Sequence, residues 1–167
     1  FYAAGTVRYF AEPFLRLGIH VHSAWAANAI PVAEYAVAQI ILANKGYYTT
    51  SPLMKRREIE ASHALRDAMP GNFHTKVGLI GVGMIGSLVA QKLHQITDLE
   101  ILAYDPFMSE EKAKRLGVTS VSLETLFSEC QTISNHLANN AETQGILNRK
   151  LFDLMPDHAT FLNTGRG

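Results

Sequence analysis

The chain has 167 residues, 47% of them hydrophobic, and its 15 basic side chains balance its 15 acidic ones. That is enough chain for one domain with a sizeable core, or for one domain and a piece of another. Zero net charge without a long basic run excludes nucleic acid as the main partner, and the single cysteine excludes an internal disulfide framework and fits a reducing, cytoplasmic setting.

No apolar run reaches the roughly 18 residues of a spanning helix and no signal peptide is visible, so no membrane is expected. The sequence begins at Phe1 and stops at Gly167 directly after a strand-like run, and it reads as a segment of a longer protein. Phe10–Leu17 is expected to form a short helix closed by Gly18, and Ile19–His22 a strand. His20 and His22 would share one face of that strand, but no third ligand stands at a useful spacing and no metal site is predicted.

Residues 31–44 make the clearest long helix. Pro31 in the first turn, Glu34 near the start and Lys45-Gly46 at the end are the expected boundary signals. Ala33, Ala36, Val37, Ile40, Ile41 and Leu42 leave almost no polar face, so the helix is predicted to be buried at a domain or subunit interface. Lys55-Arg56-Arg57 has the composition of an anion patch, yet Glu58, Glu60 and Asp67 come after it at helical spacing and favour a solvated helical face. Met69-Pro70-Gly71-Asn72 is turn chemistry and marks entry into a new unit.

The stretch from Lys76 to Gly86 organises the rest of the chain. Val77–Ile80 is an apolar run fit for a buried parallel strand, and it leads into Gly81-x-Gly83-x-x-Gly86. Ile85, Leu88, Val89, Leu93 and Ile96 then recur at helical spacing. In a strand–turn–helix unit, Gly81 permits the tight turn, Gly83 lets a pyrophosphate approach the backbone, and Gly86 lets the helix pack close. The free N–H groups of a helix beginning near Met84 would hold the diphosphate. A second strand, Leu99–Tyr104, ends at Asp105, nineteen positions after Gly86, where a carboxylate can accept hydrogen bonds from the adenosine ribose.

Pro106 stops that strand. Ser109 is expected to cap a helix with Glu110 and Glu111 in its first turn and Gly117 after its end. Val118–Val121 is a third strand, Ser122 caps a helix with Leu123, Leu126 and Phe127 inward, and Cys130–Asn135 is the fourth strand. Asn148 caps a helix through Met155, and Ala159–Asn163 is a last strand ending in Thr164-Gly165-Arg166-Gly167. Strands alternating with helices imply an α/β fold, a Rossmann-type doubly wound parallel sheet with helices on both faces.

In order and spacing, GVGMIG, YDPF, LETLFSECQTISNHLANNAETQGILN, LFDLMP and FLNTGRG resemble the D-isomer-specific 2-hydroxyacid dehydrogenases. ANAIPVAEY is similar to the family's segment leading into the helix that links its two domains and helps to form its dimer. The resemblance implies that residues 1–25 end the first portion of a flavodoxin-like substrate domain. Residues 26–167 are then the linking helix and the NAD-binding domain, truncated at its C-terminal end.

By position, the resemblance also implies that Met84 and Ile85 meet the diphosphate and Asp105 the ribose. His136, Leu137, Ala138 and Thr143 flank the cofactor, while Thr164, Gly165 and, from the linking helix, Val32 approach the nicotinamide. Arg166 matches the family arginine that grips the substrate carboxylate, for which a planar guanidinium has the right pair of donors. The family has Pro where Ala138 stands and an acidic residue near Cys130. At the start of a buried strand, Cys130 is expected to be a packed rather than a reactive thiol.

The implied function is reversible hydride transfer between NAD and C2 of a small 2-hydroxy or 2-oxo acid, in a homodimer formed through the 31–44 helix. The family's histidine acid/base and its glutamate lie downstream of Arg166, so the segment alone is expected to be inactive. Two other readings share the architecture: an NAD(H)-sensing module of corepressor type, and a formate- or phosphite-type dehydrogenase.

Overall fold

A computed structural model of the chain describes residues 8–165. Its centre is a parallel sheet of five strands, β1 (Phe73–Ile80), β2 (Asp98–Tyr104), β3 (Thr119–Ser120), β4 (Thr132–Asn135) and β5 (Thr160–Asn163). They lie in the order β3-β2-β1-β4-β5. Helices α2 (Trp25–Asn44), α5 (Met84–Ile96) and α6 (Glu110–Leu116) cover one face, and α7 (Leu123–Glu129) and α8 (Arg149–Phe152) cover the other. The predicted doubly wound sheet is therefore present. Its strand order reverses between β1 and β4, where Ile80 pairs with Asn135 in register.

Burial on both faces explains why β1 reads as a continuous apolar run rather than an alternation. Val77 and Leu79 face the α2–α5 layer, and Ile80 faces α7. Helix α7 approaches β1 so closely that a Cβ on Gly78 would lie 2.5 Å from Leu126 Cδ2. The caps fall where local chemistry placed them. Ser109 accepts from the Lys112 amide, Ser122 from Thr125 and Asn148 from Lys150, and Gly117 ends α6 in the left-handed conformation.

Several expectations need correction. Ile19–His22 forms no strand: after α1 (Arg8–Arg16) the Ile19 amide turns back to the Phe14 carbonyl, and β-pairing is confined to a bridge at Ser23. Helix α2 starts at Trp25, not Pro31, so Pro31 sits inside it. The alanines of Trp25–Ile30 are strong helix formers, and burial of Ala29 and Ala33 helps to offset the hydrogen bond that proline forfeits. Cys130 still donates its amide to Leu126 at the end of α7, so β4 begins only at Thr132. Helix α8 stops at Phe152 rather than Met155, and the third strand shrinks to two residues.

Helix α2 is also not buried all round. At 20 residues and this hydropathy it is long and apolar enough to cross a membrane, but one face packs on α5, β4 and β5. Away from that contact Ile30 and Tyr35 are 49% and 59% exposed. Its C-terminal end is held by a buried polar cluster. Asn44, fully buried, accepts from Thr132 Oγ1 at 2.5 Å and donates to Asn72 Oδ1 at 3.0 Å, and Asn72 donates onward to the Ile41 carbonyl. The buried Asn44 and Thr132, each costly to bury alone, thus satisfy one another and, with half-buried Asn72, fasten α2 to the sheet.

The Lys55-Arg56-Arg57 run lies where α3 (Tyr47–Lys55) turns into α4 (Ile59–Asp67). Arg56 pairs with Glu58 at 2.6 Å, and in α4 only Ser62 is buried, which fits the solvated-face reading.

Candidate cofactor site

The turn between β1 and α5 is shaped by its glycines. Gly81 has φ +84°, donates its amide to the Tyr104 carbonyl at 2.8 Å, and lies so close to the β4 exit that a Cβ would be 2.9 Å from Leu137 N. A Cβ on Gly86 would stand 2.1 Å from the Gly81 carbonyl oxygen, so the first turn of α5 rests directly on the turn that precedes it. Gly83 is different: no atom lies within 4 Å of where its Cβ would be. The turn is closed at Gly81 and Gly86 and open at Gly83, which fits a diphosphate approaching the backbone there, beside the amides of Met84 and Ile85.

Asp105 does more than wait for a ribose. Its Oδ2 accepts from the Val82 amide at 2.8 Å and its Oδ1 from the Phe107 amide at 2.9 Å. The carboxylate thereby ties the end of β2 to the glycine turn. Each oxygen keeps a second lone pair, so ribose hydroxyls can still be accepted. The sequence pattern located the residue; its second task depends on a contact 23 positions away.

At the end of β4 the chain passes over the reversal point. The His136 amide donates to the Ile80 carbonyl at 2.7 Å, and its Nδ1 lies 3.2 Å from Thr164 Oγ1 at the end of β5. His136 Nε2 is buried without a hydrogen-bond partner. Leu137, Ala138 and Thr143 line one pocket of about 300 Å³ with Asn135, Asn163, Phe152 and Phe161. Thr143 closes the loop over that pocket by donating to the Ala138 carbonyl at 2.5 Å. Asn135 and Asn163 carried no signal in the sequence. They pair across the strand ends (3.3 Å), and Asn163 Oδ1 also accepts from the Gly165 amide at 3.0 Å.

The structure thus brings Gly81, Gly83, Met84, Ile85, Gly86, Asp105, His136, Leu137, Ala138, Thr143, Thr164 and Gly165 to the carboxyl end of one sheet. Val32 sits half-buried on α2, the helix packed beside α5. Arg166 lies outside the described residues. Cys130 is fully enclosed, and burial raises its thiol pKa to about 12, so it is an inert core group. No cluster of three metal-ligating side chains occurs among the described residues.

Burial lowers the His136 imidazole from 6.5 to about 4. The unfolded chain therefore binds more protons than the folded one between those values, and stability present above pH 6.5 is lost as pH falls toward 4. Between pH 7 and 5 the loss should be about 2 kcal/mol. Thermal melts at the two pH values check it: the fall in Tm should be smaller in His136→Gln, and an equal fall would show that His136 is not buried neutral.

Residues 37–167 match the family model described as D-isomer specific 2-hydroxyacid dehydrogenase, NAD binding domain. The D-3-phosphoglycerate dehydrogenase of Archaeoglobus fulgidus is 31% identical over 150 residues, covering 90% of this chain and 28% of that protein. Among solved structures, the apo D-lactate dehydrogenase of Escherichia coli is 30% identical with a TM-score of 0.73, covering 99% of this chain and 51% of that one. The D-lactate dehydrogenase of Lactobacillus jensenii, solved with NAD+, is 26% identical with a TM-score of 0.75, covering 99% and 48%. The chain thus spans about half the length of these solved relatives and less of the curated one.

Proposed function

The chain belongs to the D-isomer-specific 2-hydroxyacid dehydrogenase family, of which it carries the NAD-binding domain, and from that premise we propose that the protein interconverts a D-2-hydroxy acid and its 2-oxo acid. When bound, NAD supplies or accepts a hydride at nicotinamide C4. The chain's own residues bind and orient. The glycine turn and the Met84 and Ile85 amides hold the diphosphate, Asp105 holds the ribose, and Leu137, Ala138 and Thr143 flank the cofactor. Thr164, Gly165 and Val32 border the nicotinamide, and Arg166 grips the substrate carboxylate to align C2.

The observation that supports this most directly is the adjacency of the two halves of the site. His136 joins them, because its carbonyl borders Gly81 and its ring reaches Thr164. Proton transfer is assigned to residues after Arg166, so the segment alone should bind NADH without turnover. A homodimer through α2 is the proposed assembly, supported by the exposure of Ile30 and Tyr35 on that helix. The single cysteine supports a cytoplasmic location.

The deciding experiment assays the full-length protein with NADH against a panel of 2-oxo acids, with formate and phosphite plus NAD+ as controls and sedimentation for the assembly. Reduction of an oxo acid to the D-hydroxy acid is expected, from a dimer. Turnover of formate or phosphite alone, or NADH binding without any turnover, would overturn the assignment, and a monomer would remove the dimer.

Asp105 should make the site prefer NADH over NADPH by at least about tenfold, since a 2′-phosphate would meet its charge and Phe107-Met108 offers no cation. Asp105→Arg should move the preference toward NADPH. Because it also breaks the bond to Val82, affinity for NADH should fall by more than the preference moves. Fluorescence titration of both cofactors checks this, and equal binding of NADPH by the unmodified protein would remove Asp105 from the ribose site.

A further inference from the structure

The backbone of His136 borders the glycine turn at Gly81, while its ring reaches α5 and the β5 exit. Its ring lies beside α5, where a Cβ on Gly86 would come 3.7 Å from Cδ2. Its Nδ1 faces Thr164 Oγ1 at 3.2 Å, and its Nε2 is buried without a partner. Thr164 Oγ1 has a second neighbour, the Asn135 carbonyl oxygen at 3.4 Å, which can only accept.

A hydroxyl has one proton to give, so two arrangements are possible. If Thr164 gave its proton to Nδ1, the ring proton would sit on Nε2, a buried donor with no acceptor. If Thr164 donates to the Asn135 carbonyl, Nδ1–H donates to Oγ1 and Nε2 is left as a bare lone pair. Orphaned buried N–H groups are rarer in folded proteins than under-satisfied acceptors, and the second arrangement also satisfies the Thr164 hydroxyl.

We propose that His136 is a positioning residue, held as the neutral Nδ1–H tautomer, that clasps the end of β4 to the Thr164–Gly165 turn and so sets the residue next in sequence, Arg166, for the substrate. The relay runs from His136 Nδ1–H to Thr164 Oγ1, and from Thr164 O–H to the Asn135 carbonyl. A second clasp works on the opposite face of the same strand ends, through Asn135, Asn163 and the Gly165 amide. Two ties on two faces fix the turn against both translation and twist. This role rests on the proposed function for its substrate half, and on geometry alone for the clasp.

The test uses the full-length protein and two variants. Asn places its amide nitrogen where His has Nδ1, whereas Gln places it where His has Nε2. His136→Gln should raise KM for the oxo acid at least about tenfold, with kcat falling less and NADH affinity changing less than about threefold. His136→Asn should recover most of that loss. In histidine-labelled protein, with the signal assigned by its absence from the Gln variant, nitrogen NMR should find the ring proton on Nδ1. Equal loss in both variants, a proton on Nε2, or NADH affinity falling as far as substrate use would overturn the clasp. If the wild-type protein reduces no oxo acid, the functional assignment fails, and the position of the ring proton still decides the clasp.

Discussion

Replacing Gly86 by alanine should destabilise the domain by about 3 kcal/mol or more and weaken NADH binding at least about a hundredfold. The added Cβ would lie 2.1 Å from the Gly81 carbonyl oxygen and 3.1 Å from its carbon. Those are backbone atoms and cannot rotate away. Gly81 cannot retreat either, because its amide is bonded to Tyr104 and it already abuts His136 and Leu137. Helix α5 would have to lift, yet Val89, Ala90 and Leu93 are fully buried beneath it. Either movement displaces the amides of Met84 and Ile85 from the diphosphate.

Gly83→Ala is the informative contrast. No atom lies within 4 Å of its Cβ position, and its φ of −67° is not in the left-handed region. Stability should therefore hold within about 1 kcal/mol, the ordinary range for replacing glycine at a compatible position, while NADH affinity falls because the methyl group stands where the pyrophosphate approaches. Thermal denaturation and NADH titration of both variants make the measurement. If Gly86→Ala melts and binds like the wild type, the close contact between α5 and the turn is not what shapes the site.

Arg166→Ala, in the full-length protein, should cost about 10²–10⁴-fold in kcat/KM for the 2-oxo acid. That is the loss of two charge-assisted hydrogen bonds at roughly 1.5–3 kcal/mol each. NADH affinity should change less than about threefold, since the glycine turn and Asp105 are untouched. Arg166→Lys keeps the charge without the planar fork and should recover only part of the rate. Oxo-acid kinetics beside NADH titration decide the matter. Unchanged kinetics, or an equal loss of cofactor binding, would make Arg166 a structural residue at a strand end.

What the sequence determined by itself was the chemistry carried by neighbouring residues. Gly81, Gly83 and Gly86, the caps Ser109, Ser122 and Asn148, and the left-handed Gly117 act within one turn, where residue type and backbone requirement coincide. Alternation of strand and helix then left a parallel sheet as the economical way to bury both sheet faces. The apolar run of residues 31–44 signalled a core helix, but neither its start at Trp25 nor the exposure of Ile30 and Tyr35.

Tertiary structure decided whatever needed a partner far along the chain. Ile19–His22 has strand composition, but the Ile19 amide is taken by the Phe14 carbonyl of α1 and the segment does not join the sheet. Asn44 looks like an ordinary helix end until Thr132, 88 positions away, arrives beside it. Asn135 and Asn163, 28 positions apart, meet only because β4 and β5 pair in register. The same pairing turns His136 from a cofactor neighbour into a tie between Gly86 and Thr164. A buried polar group is costly until its partner is supplied, and for these residues only the assembled sheet supplies it.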